Sequence, residues 1–137
     1  MNGCCLFLVC HAPLASALHA VVCHGFRRSL TDVEVLDVLS SQGPEQVHQA
    51  LESRWHELDK PQAVFFLTDM IGATPYNGVL AFMKSHPDIS KGLAGVSLPV
   101  LLRAITYHSL DECDLITKLS EDTGQYLQAI SLPNESA

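Results

Sequence analysis

Short apolar runs alternate along the chain with longer stretches in which apolar residues recur every three or four positions. Residues 4–10 are apolar throughout, the pattern of a strand whose sheet is covered on both faces. Leu14, Leu18, Val21 and Val22 then fall at helical spacing. Pro13 suits the first turn of that helix, where a missing N–H does no harm, and Gly25 is its expected stop. Residues 33–39 predict a second strand and 40–43 its loop. Pro44 opens a second helix reaching about Leu58, with Val47, Leu51, Trp55 and Leu58 on one stripe and Asp59-Lys60-Pro61 closing it. Residues 63–68 repeat the apolar strand pattern. After a loop containing Gly72, Thr74 reads as an N-cap with Pro75 at the first helical position, and that helix runs to about Ser85. Residues 92–98 predict a fourth strand, and Pro99 opens a helix ending near Tyr107. Residues 111–130 predict a further helix followed by a short strand or extended segment, and 133–137 a loose tail.

Four strands alternating with helices imply right-handed βαβ crossovers and a mainly parallel, doubly wound α/β sheet. A chain of 137 residues fits one domain, expected over 1–132, and suits a flavodoxin-like strand order 2-1-3-4. In such sheets reacting groups gather past the carboxyl ends of the strands, where the order reverses. His11 follows the first strand and Asp69 the third, so this order makes them neighbours.

Composition narrows the partners. Fifteen acidic against eight basic residues leave a formal charge of −7, with no basic cluster, which argues against nucleic acid or an anionic membrane as ligand and permits a basic protein. No apolar run approaches the roughly 18 residues of a membrane span. Met1-Asn2-Gly3 supplies no basic residue before the first apolar run, so no signal peptide is expected. The five cysteines, three of them in one apolar segment, read as reduced thiols in a cytoplasmic protein rather than as a disulfide framework. Cys10, His11, His19 and His24 match no common zinc spacing.

His11 is the candidate for chemistry. An imidazole between a strand and a helix start is a nucleophile toward phosphorus if one ring nitrogen is free and the other is held as a donor. Asp69 can accept that second N–H and stabilise positive charge on the ring. The helix starts at Ala12–Leu14 and Thr74–Tyr76 offer amides to a dianionic group, and the Thr74 hydroxyl adds a donor. The plainer alternative is a polar residue at the sheet margin beside a turn-forming Asp. Cys10 points to the opposite face of the strand from His11 and is expected to be buried. His48, His56 and His86 fall on or near exposed helix positions, and His108 either caps the fourth helix or lies near the site.

Three segments resemble one family. Residues 6–18, LFLVCHAPLASAL, resemble the first strand and active-site histidine of the mannose-type enzyme IIA of the bacterial sugar phosphotransferase system. Residues 65–77, FFLTDMIGATPYN, resemble its second signature, and residues 95–101, GVSLPVL, its third. The resemblance implies that His11 accepts phosphate from the phosphocarrier protein HPr and donates it to an enzyme IIB partner. It implies Asp69 as hydrogen-bond partner and Thr74 as the phosphate-side hydroxyl, with no metal or organic cofactor. It also implies a homodimer in which a C-terminal strand, here 125–131, pairs with the other subunit. Ala12 and Pro13 depart from the family, which has Gly after the histidine, and Pro13 removes an amide. Two alternatives stay open: a free-standing regulatory sensor of the same system, and a flavodoxin-like nucleotide- or flavin-binding module. The phosphotransfer subunit of dihydroxyacetone kinase is a closer cousin, but the run Thr74-Pro75-Tyr76-Asn77 fits the mannose type better.

Overall fold

Successive residues of a strand point to opposite faces, and in this chain both sets are apolar. Leu6, Leu8 and Cys10 of the first strand enter one buried cluster, while Phe7 and Val9 enter another. The computed structural model describes residues 4–27, 33–121 and 123–134, apart from the side chain of Glu112. Its strands are β1 (Cys5–His11), β2 (Val33–Val38), β3 (Val64–Thr68) and β4 (Ser90–Ala94), all parallel in the order β2-β1-β3-β4. This is the doubly wound α/β fold and the strand order expected from the sequence.

Helices α1 (Leu14–Phe26), α4 (Leu98–Tyr107) and α5 (Glu112–Ser120) cover the first face. Ala15, Val22, Leu101, Ala104, Leu115 and Leu119 pack there against Leu6, Leu8, Phe65 and Leu67. Helices α2 (Pro44–Glu57) and α3 (Thr74–Ser85) cover the other, where Val47, Leu51, Val79 and Phe82 meet Phe7, Phe66 and Val64. Burying such side chains contributes on the order of 1.5–3 kcal/mol each, enough to pin the register of every strand. The two helices α2 and α3 approach so closely that a Cβ at Gly78 would lie 2.3 Å from Val47 Cγ1, so only glycine fits.

The main differences in boundary from the sequence reading have local reasons. Strand β4 ends at Ala94 rather than Leu98. Gly95 turns with φ 95°, and the amides of Gly95 and Val96 both donate to the Thr68 carbonyl at 2.9 Å. Ser97 then serves as N-cap of α4, its hydroxyl accepting from Val100 N at 3.4 Å, so Leu98 is helical. Thr74 is the first residue of α3, with Ala73 at the cap position and Pro75 second. Pro13 occupies the cap position of α1 after a cis peptide bond, and Gly25 does not stop that helix, which ends at Arg27 in the left-handed region.

The C-terminal segment departs most. After α5 a single 3-10 turn (Thr123–Gln125) follows, and residues 126–134 form no strand within the chain. Leu127, Ile130 and Leu132 are exposed there. Met1-Asn2-Gly3 and residues 135–137 of the expected tail lie outside the described residues. No helix among the described residues is long and apolar enough to cross a membrane.

Candidate active site

The order reversal between β2-β1 and β1-β3 puts the ends of β1 and β3 side by side. His11 is the last residue of β1, and Asp69 follows the last residue of β3. One oxygen of Asp69, Oδ2, accepts the His11 backbone N–H at 3.0 Å and lies 2.8 Å from His11 Nδ1. The His11 ring is 48% exposed and the Asp69 side chain 12%.

Burial alone would raise the Asp69 carboxyl. The ring hydrogen bond, the backbone hydrogen bond and the charge of His11 together outweigh it and hold the carboxyl below its ordinary range. An ionised carboxylate only accepts, so the proton between them sits on Nδ1, and in the tautomer this fixes, the ring lone pair is on Nε2. Asp69 Oδ1 is buried without a hydrogen-bond partner among the described residues. The candidate pair read from the sequence is therefore brought into direct contact, with one ring nitrogen assigned to the carboxylate and the other left open.

The two helix starts differ in what they offer. The Ala12 N–H, expected to be open, donates to the Val38 carbonyl at 2.9 Å, and Pro13 has none. Deeper in the first turn of α1, Ser16 N donates to Asp37 Oδ1 at 3.0 Å, and the Ser16 hydroxyl donates to Asp37 Oδ2. Nothing in the sequence pattern singled out Asp37, because the cap comes from a different strand. At α3 the amides of Thr74 and Tyr76 lie in the first turn and have no intrahelical acceptor. Asn77 Nδ2 donates to the Gly72 carbonyl at 3.1 Å, closing the loop between Asp69 and that turn, and Gly72 itself holds φ 81°. Thr74 thus stands in a first turn whose amides have no intrahelical acceptor, whereas Ala12 is committed to the sheet.

Other candidates fall away from this edge. Cys10 is fully buried, and its thiol is pushed up to about 12, by burial first and then by the charges of Asp69 and Asp37. A neutral buried thiol is no nucleophile. His108 lies at the opposite end of β1, its carbonyl accepting from Cys4 N at 3.1 Å. His48 and His86 are not simply exposed: both are half-buried against Glu52, at 3.0 and 2.8 Å, where α2 meets the end of α3. The i,i+4 spacing of His48 and Glu52 was a readable signal, but His86 joins them from 34 residues away.

Residues 5–118 match the family model EIIA-man, described as the fructose IIA component of the phosphotransferase system. The chain is 33% identical over 88 residues to the fructose-specific EIIA component of the phosphotransferase system of Bacillus subtilis, and spans about 57% of that relative's length. Its fold is similar to that of the mannose/sorbose-specific IIA subunit of Enterococcus faecalis, with a TM-score of 0.83 at 20% identity over 99% of this chain and 100% of that one. It is also similar to the EIIA component from Streptococcus agalactiae, with a TM-score of 0.78 at 20% identity over 90% of this chain and 95% of that one.

Proposed function

Because the chain belongs to the EIIA-man family of phosphotransferase-system components, we propose that it is a phosphocarrier in which His11 Nε2 takes a phosphoryl group from one protein and passes it to another. The observation that carries this reading is the Asp69 clamp. A single carboxylate oxygen holds both the backbone N–H and Nδ1 of His11, which orients the ring and leaves Nε2 as nucleophile.

In the forward step the lone pair of Nε2 attacks phosphorus, a P–Nε2 bond forms, and the P–N bond of a phosphohistidine donor breaks, its nitrogen taking the electron pair. The Nδ1 proton stays shared with Asp69, whose charge offsets the positive ring that results. The first turn of α3, with the Thr74 and Tyr76 amides and the Thr74 hydroxyl, supplies donors for the phosphoryl oxygens in this reading. Hand-off is the reverse step toward the acceptor's nucleophile. No proton has to reach a leaving group, so one imidazole and one carboxylate suffice. The family supports HPr as donor and an enzyme IIB component as acceptor in sugar uptake, a cytoplasmic setting, and no cofactor. A nucleotide- or flavin-binding role is disfavoured, because Asp37 brings a carboxyl group to the start of α1, where a phosphate would bind in such folds.

Incubation with phosphoenolpyruvate, enzyme I and HPr tests the proposal by intact mass. One acid-labile phosphoryl group on the protein, absent from His11→Ala, is expected. No added mass, or a phosphoryl group that persists in His11→Ala, would refute it.

A further inference from the structure

Helix α1 starts three residues after His11 yet brings no cap of its own, since Pro13 at the cap position makes no side-chain hydrogen bond. The cap comes from β2. In the parallel register Cys10 pairs with Asp37 and His11 with Val38, so Asp37 sits one residue inside the edge that carries His11. Its two carboxylate oxygens take the Ser16 amide and the Ser16 hydroxyl, the third residue of α1. One residue further on, Val38 O takes the Ala12 amide at 2.9 Å. The segment after His11 is thereby tied to β2, just as His11 itself is tied to Asp69 beyond β3.

The charge matters as much as the tether. The first turn of a helix concentrates roughly half a positive charge, and a dianion placed beside it is stabilised. Here the Asp37 carboxyl group already accepts one of the amides of that turn, the Ser16 N–H. Asp37 on β2 pairs with Cys10, and Asp69 beyond β3 holds His11, so a carboxyl group stands on each side of the end of β1. Charge on Asp37 therefore disfavours a dianion at the start of α1 and leaves the first turn of α3 as the other helix start at this edge of the sheet.

We propose that Asp37 is a positioning residue of the phosphoryl-transfer site: by bringing a carboxyl group to the start of α1 it directs the phosphoryl group on His11 toward the first turn of α3 and keeps that group readily transferable. This rests on the phosphocarrier reading above. Asp37 makes and breaks no bond in the transfer; it acts through charge and through the placement of residues 12–16.

Two measurements test it. The first is the equilibrium constant for phosphoryl exchange between HPr and this protein, for the wild type, Asp37→Asn and Asp37→Glu. Asparagine can accept from the Ser16 amide and donate to its hydroxyl while removing the charge. The expected result is a shift of about tenfold toward phospho-His11 in Asp37→Asn, with slower hand-off, and a return toward the wild-type value in Asp37→Glu. The second needs no variant: amide shifts of the wild type are followed on phosphorylation. The Thr74 and Tyr76 amides are expected to move more than those of Leu14, Ala15 and Ser16. An Asp37→Asn equilibrium equal to that of wild type, or larger shifts at the start of α1, overturns the assignment of Asp37 while leaving phospho-His11 in place. A wild type that takes no phosphoryl group from HPr overturns the phosphocarrier reading itself, and this inference with it.

Discussion

At the scale of single residues the site is a carboxylate, an imidazole and the proton between them. The folded pKa of Asp69 lies below its ordinary value of 3.8, so the stability from its pairing with His11 is fully present above that value and is lost as pH falls through the lower folded one. Asp69→Asn keeps an acceptor oxygen for His11 but removes the charge that offsets the positive ring. Transfer from HPr measured by rapid quench is expected to slow by about tenfold, with the fold retained by circular dichroism. An unchanged rate would remove Asp69 from its orienting role. This pair was readable from the sequence because each residue directly follows an apolar run, and the order of such runs decides which ends meet. Asp37 was not readable. It sits inside the strand run 33–39, and its partner, Ser16, is 21 residues away on another element.

Among elements, the α2–α3 joint carries a second polar cluster beneath an aromatic stack. The His86 ring lies 4.4 Å from both Trp55 and Phe82, and Glu52 receives His86 at 2.8 Å and His48 at 3.0 Å. Burial alone would raise Glu52, but the two histidine hydrogen bonds and charges outweigh it and hold the carboxyl below its ordinary value of 4.5. Its contribution is therefore present above that value and is lost as pH falls through the lower folded one. Glu52→Gln is expected to cost about 1 kcal/mol in urea unfolding near neutral pH, with the gap to wild type closing in acid. Equal stability at neutral pH would mean the cluster contributes nothing. Element boundaries were legible where proline and apolar runs coincided, as at Pro44. They shifted where a cap competed: Ser97 caps α4, which starts at Leu98, one residue before Pro99, and takes Leu98 out of β4.

Across the whole molecule, the parallel order β2-β1-β3-β4 was readable because alternating strands and helices leave few right-handed arrangements. The C-terminal segment was not, since a strand exists only where another strand pairs with it. Within one chain, residues 126–134 find no such partner and leave Leu127 88% exposed, while β4 stands at an open edge of the sheet. These features support a homodimer in which 125–131 joins the sheet of a second copy. Sedimentation is expected to give twice the 14.9 kDa chain mass, falling to one chain when the protein is cut after Gln125. A full-length chain that sediments as a monomer would end the dimer proposal. The formal charge of −7, without a basic cluster, favours phosphoryl donors and acceptors that present a basic face.

The central claim is that Asp69 reserves Nδ1 of His11 and leaves Nε2 for phosphorus, and nitrogen-resolved NMR tests it most directly. In protein labelled with 15N-histidine and phosphorylated through HPr, the expected spectrum has phosphorus coupled to Nε2 of His11 and a proton retained on Nδ1. Phosphorus on Nδ1, or on any residue other than His11, would contradict it.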